Sequence, residues 1–136
     1  MEKTNNLPKN NYFLRVGGNF GSFLSKEEID IELTGLGVIE IFEIDKTNPI
    51  ALIEKMADFF HKNNCDKCVP CREGFLNILE MVKSDNLEID KIRKIIFGLE
   101  NYSFCFFGKG AGRSLGGLFD IILNGEHYQR TSDRKA

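Results

Sequence analysis

Three of the four cysteines in this sequence lie in one short segment, at Cys65, Cys68 and Cys71, and the fourth is Cys105. Thiolates spaced at i, i+3 and i+6 can surround one face of a compact inorganic cluster. A single remote cysteine can then close the other face, which is the usual Cys₄ arrangement of an iron–sulfur site. The spacing therefore predicts that these four cysteines bind one metal cluster.

Other uses of four cysteines are less favoured by this spacing. Structural zinc prefers two separated C-x-x-C pairs or a mixture of Cys and His, so zinc is a less favoured alternative. Disulfides within so tight a triplet would close small strained loops, and a two-cluster ferredoxin would need about eight ligands. His61 and His127 lack such spacing and are not assigned as ligands. Four cysteines can hold [2Fe–2S] as well as [4Fe–4S], so the spacing leaves the cluster type open.

A helix is predicted directly after the cysteine segment. Pro70 favours the first turn of a helix that begins at about Cys71, with Phe75, Ile78, Leu79 and Val82 at helical spacing. The N-terminus of that helix would direct its dipole at the thiolates and stabilise negative charge there by about 0.3–1 kcal/mol. Lys67 and Arg72 add positive charge.

The segment before the cysteines predicts a small β region followed by a helix. Residues 12–16 and 38–44 have strand patterns, residues 17–21 form a glycine-rich turn, and residues 25–28 could form one helical turn. Asn48 and Pro49 are typical of a helix start and predict a helix that ends near residues 63–64.

Two further helices are predicted after residue 84. Ile89, Ile92, Ile95, Ile96 and Leu99 mark the third, and a fourth would include Leu115 to Ile122 and end at Asn124 and Gly125. Residues 102–107 place four aromatic side chains around Cys105, where core packing and a dry wall beside the metal site are compatible functions. The glycine-rich residues 108–114 are expected to be a flexible basic segment before the fourth helix.

Composition excludes several classes of protein. The chain has 136 residues and a net charge of −2, which argues against binding to nucleic acid because such proteins usually carry a basic surplus. There is no apolar run of about twenty residues for a transmembrane segment, and the N-terminus lacks the apolar stretch of a signal peptide. We therefore expect a cytoplasmic protein, whose thiols stay reduced.

The sequence resembles the NADH-binding flavoprotein subunit of respiratory complex I and related NAD-linked hydrogenases and formate dehydrogenases. The similarity lies in Phe59-Phe60, in the pattern C-x-x-C-x-P-C-R-x-G at residues 65–74, and in Cys105 followed by Gly108. It implies that Cys65, Cys68, Cys71 and Cys105 bind one [4Fe–4S] cluster at the end of a helical bundle. Residues 17–23 and the strand at 38–44 are similar to the end of the family's ubiquitin-like β-grasp domain.

The resemblance also implies a domain organisation and partners. The expected fold is mostly α, a four-helix bundle with a cysteine cluster loop, preceded by a small partial β-grasp-like α+β segment. The expected divisions are a disordered arm at 1–11, the β-grasp segment at 12–46, the iron–sulfur bundle at 47–125 and a flexible tail at 126–136. No segment matches the family's FMN- and NADH-binding domain, so this chain alone is not expected to oxidise NADH.

Two hypotheses about function follow. The first is an electron-transfer module with one [4Fe–4S] cluster, acting as a small subunit beside a flavin- or NAD-binding subunit and another iron–sulfur subunit. The second is a structural or regulatory module whose fold is stabilised by Cys₄ zinc or by a purely structural cluster. A remnant flavoprotein that binds FMN through its glycines is a weaker third.

Overall fold

The computed structural model describes residues 7–28 and 37–124. The predicted fold class is confirmed, since the described part of the chain is mostly helical with a small antiparallel sheet. The elements are β1 (Tyr12–Val16), β2 (Ser22–Ser25), β3 (Ile39–Glu43), α1 (Pro49–Asn63), α2 (Val69–Lys83), α3 (Ile89–Tyr102) and α4 (Phe106–Asn124). Residues 1–6 of the predicted arm, Gly125 of the predicted helix end and the predicted tail lie outside the described residues.

The sheet has the strand order β2-β1-β3, and both pairs are antiparallel. The central strand β1 follows the predicted pattern, whereas β2 was not predicted. The turn between them depends on Gly17, whose φ of 104° is a left-handed conformation that favours glycine. The predicted helical turn at 25–28 is a short 3-10 helix at Lys26–Glu28.

Helix α1 begins where the sequence predicts. The Oδ1 atom of Asn48 accepts hydrogen bonds from the backbone N–H groups of Ile50 and Ala51, at 3.0 and 3.2 Å, and Pro49 occupies the first turn. These bonds satisfy donors that the helix itself leaves free. The helix ends at Asn63 and delivers the chain to the cysteine segment.

The four helices and one face of the sheet share a continuous apolar core. Each helix buries an apolar stripe, and α4 also packs against β2 and the glycine-rich turn before it. The buried hydroxyl of Ser114 on α4 donates to the carbonyl of Gly21 at 2.8 Å, which ties the sheet to the bundle. Among the largest fully buried side chains are Phe60, Phe75, Leu14, Ile53, Ile78, Ile92, Leu99, Leu115 and Leu118.

The prediction of a flexible glycine segment at residues 108–114 is wrong. These residues form the first half of α4, which begins at Phe106. A Cβ atom added to Gly112 would lie 2.9 Å from Cβ of Leu99, so the glycine allows α3 and α4 to approach closely. Burial of the apolar side chains of α4 offsets the cost of glycine in a helix, which is about 1 kcal/mol per residue.

None of the helices in residues 7–28 and 37–124 has the length and hydropathy of a membrane-spanning segment.

Candidate metal centre

Cys65 lies in a loop whose backbone is held by α1. The side chain of Asn64 donates to the carbonyls of Phe60 and His61 at the end of that helix, at 3.4 and 2.6 Å. Its Oδ1 atom accepts a hydrogen bond from the N–H of Asp66 at 2.7 Å, and Asp66 has a left-handed φ of 59°. Such a turn suits Asp and reverses the chain sharply, so Cys65 is presented on the exposed side of the loop.

Cys68 and Cys71 are held by the N-terminus of α2. Cys68 is the N-cap residue and Cys71 lies in the first turn, and both side chains are buried. The helix starts at Val69, two residues before the predicted position. Pro70 favours this start because its fixed φ suits the first turn and its missing N–H would have no partner there.

Cys105 occupies the corresponding position before a second helix. It is exposed and immediately precedes Phe106, the first residue of α4. The cysteine segments thus lie at the N-termini of both α2 and α4, where free N–H groups and the helix dipole favour negative charge. This second helix N-terminus was not predicted, because the glycines that follow it suggested a loop.

The thiols of Cys68 and Cys71 interact with each other and with Ser103. Burial would raise the pKa of Cys68, but hydrogen bonds from the backbone N–H groups of Phe104 and Cys71 outweigh it and lower the pKa, with help from the side chains of Cys71 and Ser103. Burial raises the pKa of Cys71 to about 11, and negative charge on Cys68 and Cys105 acts in the same direction. The first turns of α2 and α4 lie against each other, since a Cβ atom added to Gly108 would lie 2.7 Å from Sγ of Cys71, and Cys105 directly precedes that turn of α4.

The cysteines do not form a ready site for a single ion. Within the described ranges, no three His, Cys, Asp or Glu side chains are placed so that they could hold one metal ion. Ligands of a cluster are spaced more widely than ligands of one ion, because each thiolate binds a different iron. Cys68, Cys71 and Cys105 lie at two helix N-termini with backbone N–H donors nearby, and this environment fits an anionic iron–sulfur cluster. Cys65 is exposed in the loop before α2.

An aromatic cluster lies behind the site. The ring of Phe60 lies within 5.3–6.0 Å, centroid to centroid, of the rings of Phe20, Phe75 and Phe107. Phe75 follows Cys71 by one helical turn and Phe107 follows Cys105 by two residues. These rings give the cysteines an apolar wall that excludes water on the core side.

The aromatic wall differs from the predicted one. Of the four aromatic residues between 102 and 107, only Phe107 packs into the core, while Tyr102, Phe104 and Phe106 are 65%, 81% and 66% exposed. Core packing is therefore the wrong interpretation for these three. Sequence spacing failed here because residues 103–105 form a non-helical link, which turns neighbouring side chains to different sides.

Ser103 was not predicted to be part of the site, and Gly108 was named only in the pattern that carries the family resemblance. The hydroxyl of Ser103 is buried and lies 3.9 Å from Sγ of Cys71, and Gly108 packs against both groups. In the sequence, the position of polar Ser103 two residues before Cys105 was the signal that could have indicated its place in the site. His61, which is not assigned as a ligand, is half-buried, and its Nδ1 atom has no hydrogen-bond partner in the described residues.

Comparisons with known proteins show which family this chain belongs to. The family model for the NADH-ubiquinone oxidoreductase-F iron-sulfur binding region matches residues 51–120. An NADH-quinone oxidoreductase F subunit of Rhizobium meliloti is 30% identical over 108 residues, which cover 75% of this chain and 24% of that protein. The equivalent protein of Mycobacterium tuberculosis is 29% identical over 116 residues, covering 73% and 26% respectively.

A solved structure has the same fold. The NAD⁺-reducing [NiFe]-hydrogenase in its H₂-reduced state superposes with a TM-score of 0.72 at 20% identity, covering 90% of this chain and 24% of the hydrogenase chain. The chain thus spans about a quarter of the length of the relatives it matches. Because the family match includes both cysteine segments and more than half of the sequence, this chain belongs to the [4Fe–4S]-binding NADH-ubiquinone oxidoreductase-F iron-sulfur binding region family.

Proposed function

We propose that this chain is an electron-transfer module in which Cys65, Cys68, Cys71 and Cys105 hold one [4Fe–4S] cluster. The observation that carries the proposal is the contact between the first turns of α2 and α4, which Cys68 and Cys105 directly precede and where Gly108 packs against Sγ of Cys71. When bound, the cluster would accept and release one electron. Cys65 lies on the exposed side of its loop and is the proposed fourth ligand.

The protein groups around the cysteines would set the reduction potential. Backbone N–H groups that donate to the sulfur of Cys68, together with two helix dipoles, stabilise added negative charge and so favour the reduced state. The rings of Phe60, Phe75 and Phe107 exclude water on the core side. On the other side, Cys65 and Cys105 are exposed, so the route for electrons to a partner would be short there.

We also propose that the module works inside a larger NADH- or flavin-linked oxidoreductase or hydrogenase complex. The chain matches only about a quarter of its relatives, which are named as NADH-quinone oxidoreductase subunits and an NAD⁺-reducing hydrogenase. A flavin- or NAD-binding partner would supply electrons, and another iron–sulfur protein would accept them. The exposed side chains of Tyr102, Phe104 and Phe106 beside Cys105 suit a protein partner, because contiguous exposed apolar groups commonly mark interfaces.

The proposed division of the chain follows the elements. The sheet and its turns would form the β-grasp segment at 12–46, and the four helices the iron–sulfur bundle at 47–125, with an arm at 1–11 and a tail at 126–136. A cytoplasmic location is proposed because thiol ligands need a reducing compartment.

The first test is metal analysis of the full chain purified without oxygen. We expect about four irons and four acid-labile sulfides per chain, and a low-temperature EPR signal after reduction with dithionite. Single variants C65S, C68S, C71S and C105S should each lose or alter that signal. Stoichiometric zinc without sulfide would instead establish the structural module, and an unaltered signal in C65S would remove Cys65 from the ligand set.

The second test addresses the electron donor. The complex that contains this chain is isolated without oxygen, and the EPR signal is recorded after addition of NADH and, separately, of dithionite. Reduction by NADH in the complex but not in the isolated chain is expected. A signal that only dithionite produces in the intact complex would contradict the link to NADH.

A further inference from the structure

Ser103 is a buried polar residue at the junction between α3 and the last cysteine. It follows Tyr102, the final residue of α3, and only 5% of its surface is exposed. Its hydroxyl lies 3.9 Å from Sγ of Cys71, on an element 32 residues away in sequence. A buried hydroxyl needs a hydrogen-bond partner, and the thiol of Cys71 lies within reach of it.

Helix α4 closes this contact from one side. A Cβ atom added to Gly108 would lie 2.1 Å from Oγ of Ser103 and 2.7 Å from Sγ of Cys71. The backbone of α4 therefore fills the space beside both groups, and only glycine leaves room for it. The hydroxyl is confined against the sulfur rather than being one of many surface contacts.

The direction of the hydrogen bond depends on the state of Cys71. Between a neutral thiol and a hydroxyl, either group can donate. A cysteine that binds a metal is a thiolate and has no proton, so only the serine can then donate.

We propose that Ser103 is a positioning residue that donates a hydrogen bond to Sγ of Cys71 when this sulfur binds the cluster, and thereby raises the cluster's reduction potential. The inference rests on the proposed function. A hydrogen bond to a ligand sulfur stabilises the additional negative charge of the reduced state, so its loss makes reduction harder. Gly108 serves this contact by letting α4 pack directly over it.

The experiment compares S103A with S114A in the full chain. Both replace a buried serine, but the hydroxyl of Ser114 donates to the carbonyl of Gly21, and Ser114 lies about 13 Å along α4 from Cys105 at 1.5 Å per residue. Midpoint potentials are measured by EPR-monitored titration. We expect a more negative potential in S103A and the wild-type potential in S114A, with equal iron and sulfide content.

The outcomes separate this inference from the proposed function. A full cluster in S103A at the wild-type potential overturns the role of Ser103 and leaves the electron-transfer module standing, whereas wild-type protein without iron and sulfide overturns the module itself. If S103A holds no cluster, S103T decides, because it keeps the hydroxyl. A cluster at the wild-type potential in S103T supports the inference, and a displaced potential or a missing cluster in S103T overturns it.

Discussion

Gly108→Ala provides a direct test of the close packing around the cysteines. The added methyl group would meet Oγ and Cβ of Ser103 at 2.1 and 2.5 Å and Sγ of Cys71 at 2.7 Å. These distances are well inside van der Waals contact, and both partners are buried, so neither side chain can swing into solvent. Overpacking of this kind costs about 1–3 kcal/mol.

The expected net effect includes a gain that acts in the opposite direction. Alanine is better than glycine in a helix by at most about 0.5–1 kcal/mol. We therefore expect G108A to lower the free energy of unfolding by about 0–2.5 kcal/mol. Gly98 in α3 provides the matched control, because a Cβ atom there would meet nothing within 4 Å. G98A should raise the free energy of unfolding by about 0.5–1 kcal/mol.

The assay is urea unfolding of both variants and wild type, followed by circular dichroism and performed without metal. The double variant S103G/G108A removes two of the three close contacts and should recover part of the loss, so a double-mutant cycle measures the contact directly. A G108A protein as stable as G98A would refute the reasoning, since it would mean that α4 does not press against Ser103 and Cys71. Iron content after reconstitution should fall in G108A alone.

Two other predictions concern the rest of the fold. Arg15 is buried and donates a hydrogen bond to Glu40, and this bond lowers the pKa of Glu40 against the effect of burial. The pair therefore stabilises the fold fully above the unfolded-state pKa of about 4.3. This stabilisation is lost as the pH falls through the lower pKa of the folded state. Because the Glu40 side chain is 35% exposed and solvent screens the pair, E40Q should lower the free energy of unfolding by about 0.5–1 kcal/mol at pH 7 and by less at pH 3 in urea titrations. A deficit independent of pH would contradict the ion pair. F60A should cost about 3–5 kcal/mol in the same assay because Phe60 is fully buried, whereas F104A, at an 81% exposed position, should change stability by less than about 0.5 kcal/mol. Similar losses in the two variants would show that Phe104 is packed in the core.

Local signals in the sequence predicted the helix starts well at Asn and Pro residues, which strongly favour the N-cap and the first turn of a helix. Asn48 followed by Pro49 predicted the start of α1, and the side chain of Asn48 caps that helix. Pro70 predicted a helix after the cysteines to within two residues. Such signals work because caps and proline act through the neighbouring backbone alone.

Glycine and phenylalanine gave weaker predictions because their effect depends on what lies across the fold. The glycines from 108 to 112 suggested a flexible loop, yet they lie in α4 because a helix that packs this tightly on α3 and Ser103 has no room for larger side chains. Phe104 and Phe107 have the same chemistry, but only Phe107 packs into the core. Which of them is buried depends on the turn between α3 and α4.

The sequence by itself predicted a metal-binding function, because the spacing of Cys65, Cys68 and Cys71 limits the metal groups that one short segment can bind. It also determined the helical stripes, since apolar periodicity is a property of the chain. Only the tertiary structure decided that Gly108 at the start of α4 packs against Cys71 at the start of α2, that Ser103 lies against Cys71, and that three aromatic side chains beside Cys105 are exposed. These features depend on contacts between residues about 30 positions apart, which packing alone can establish.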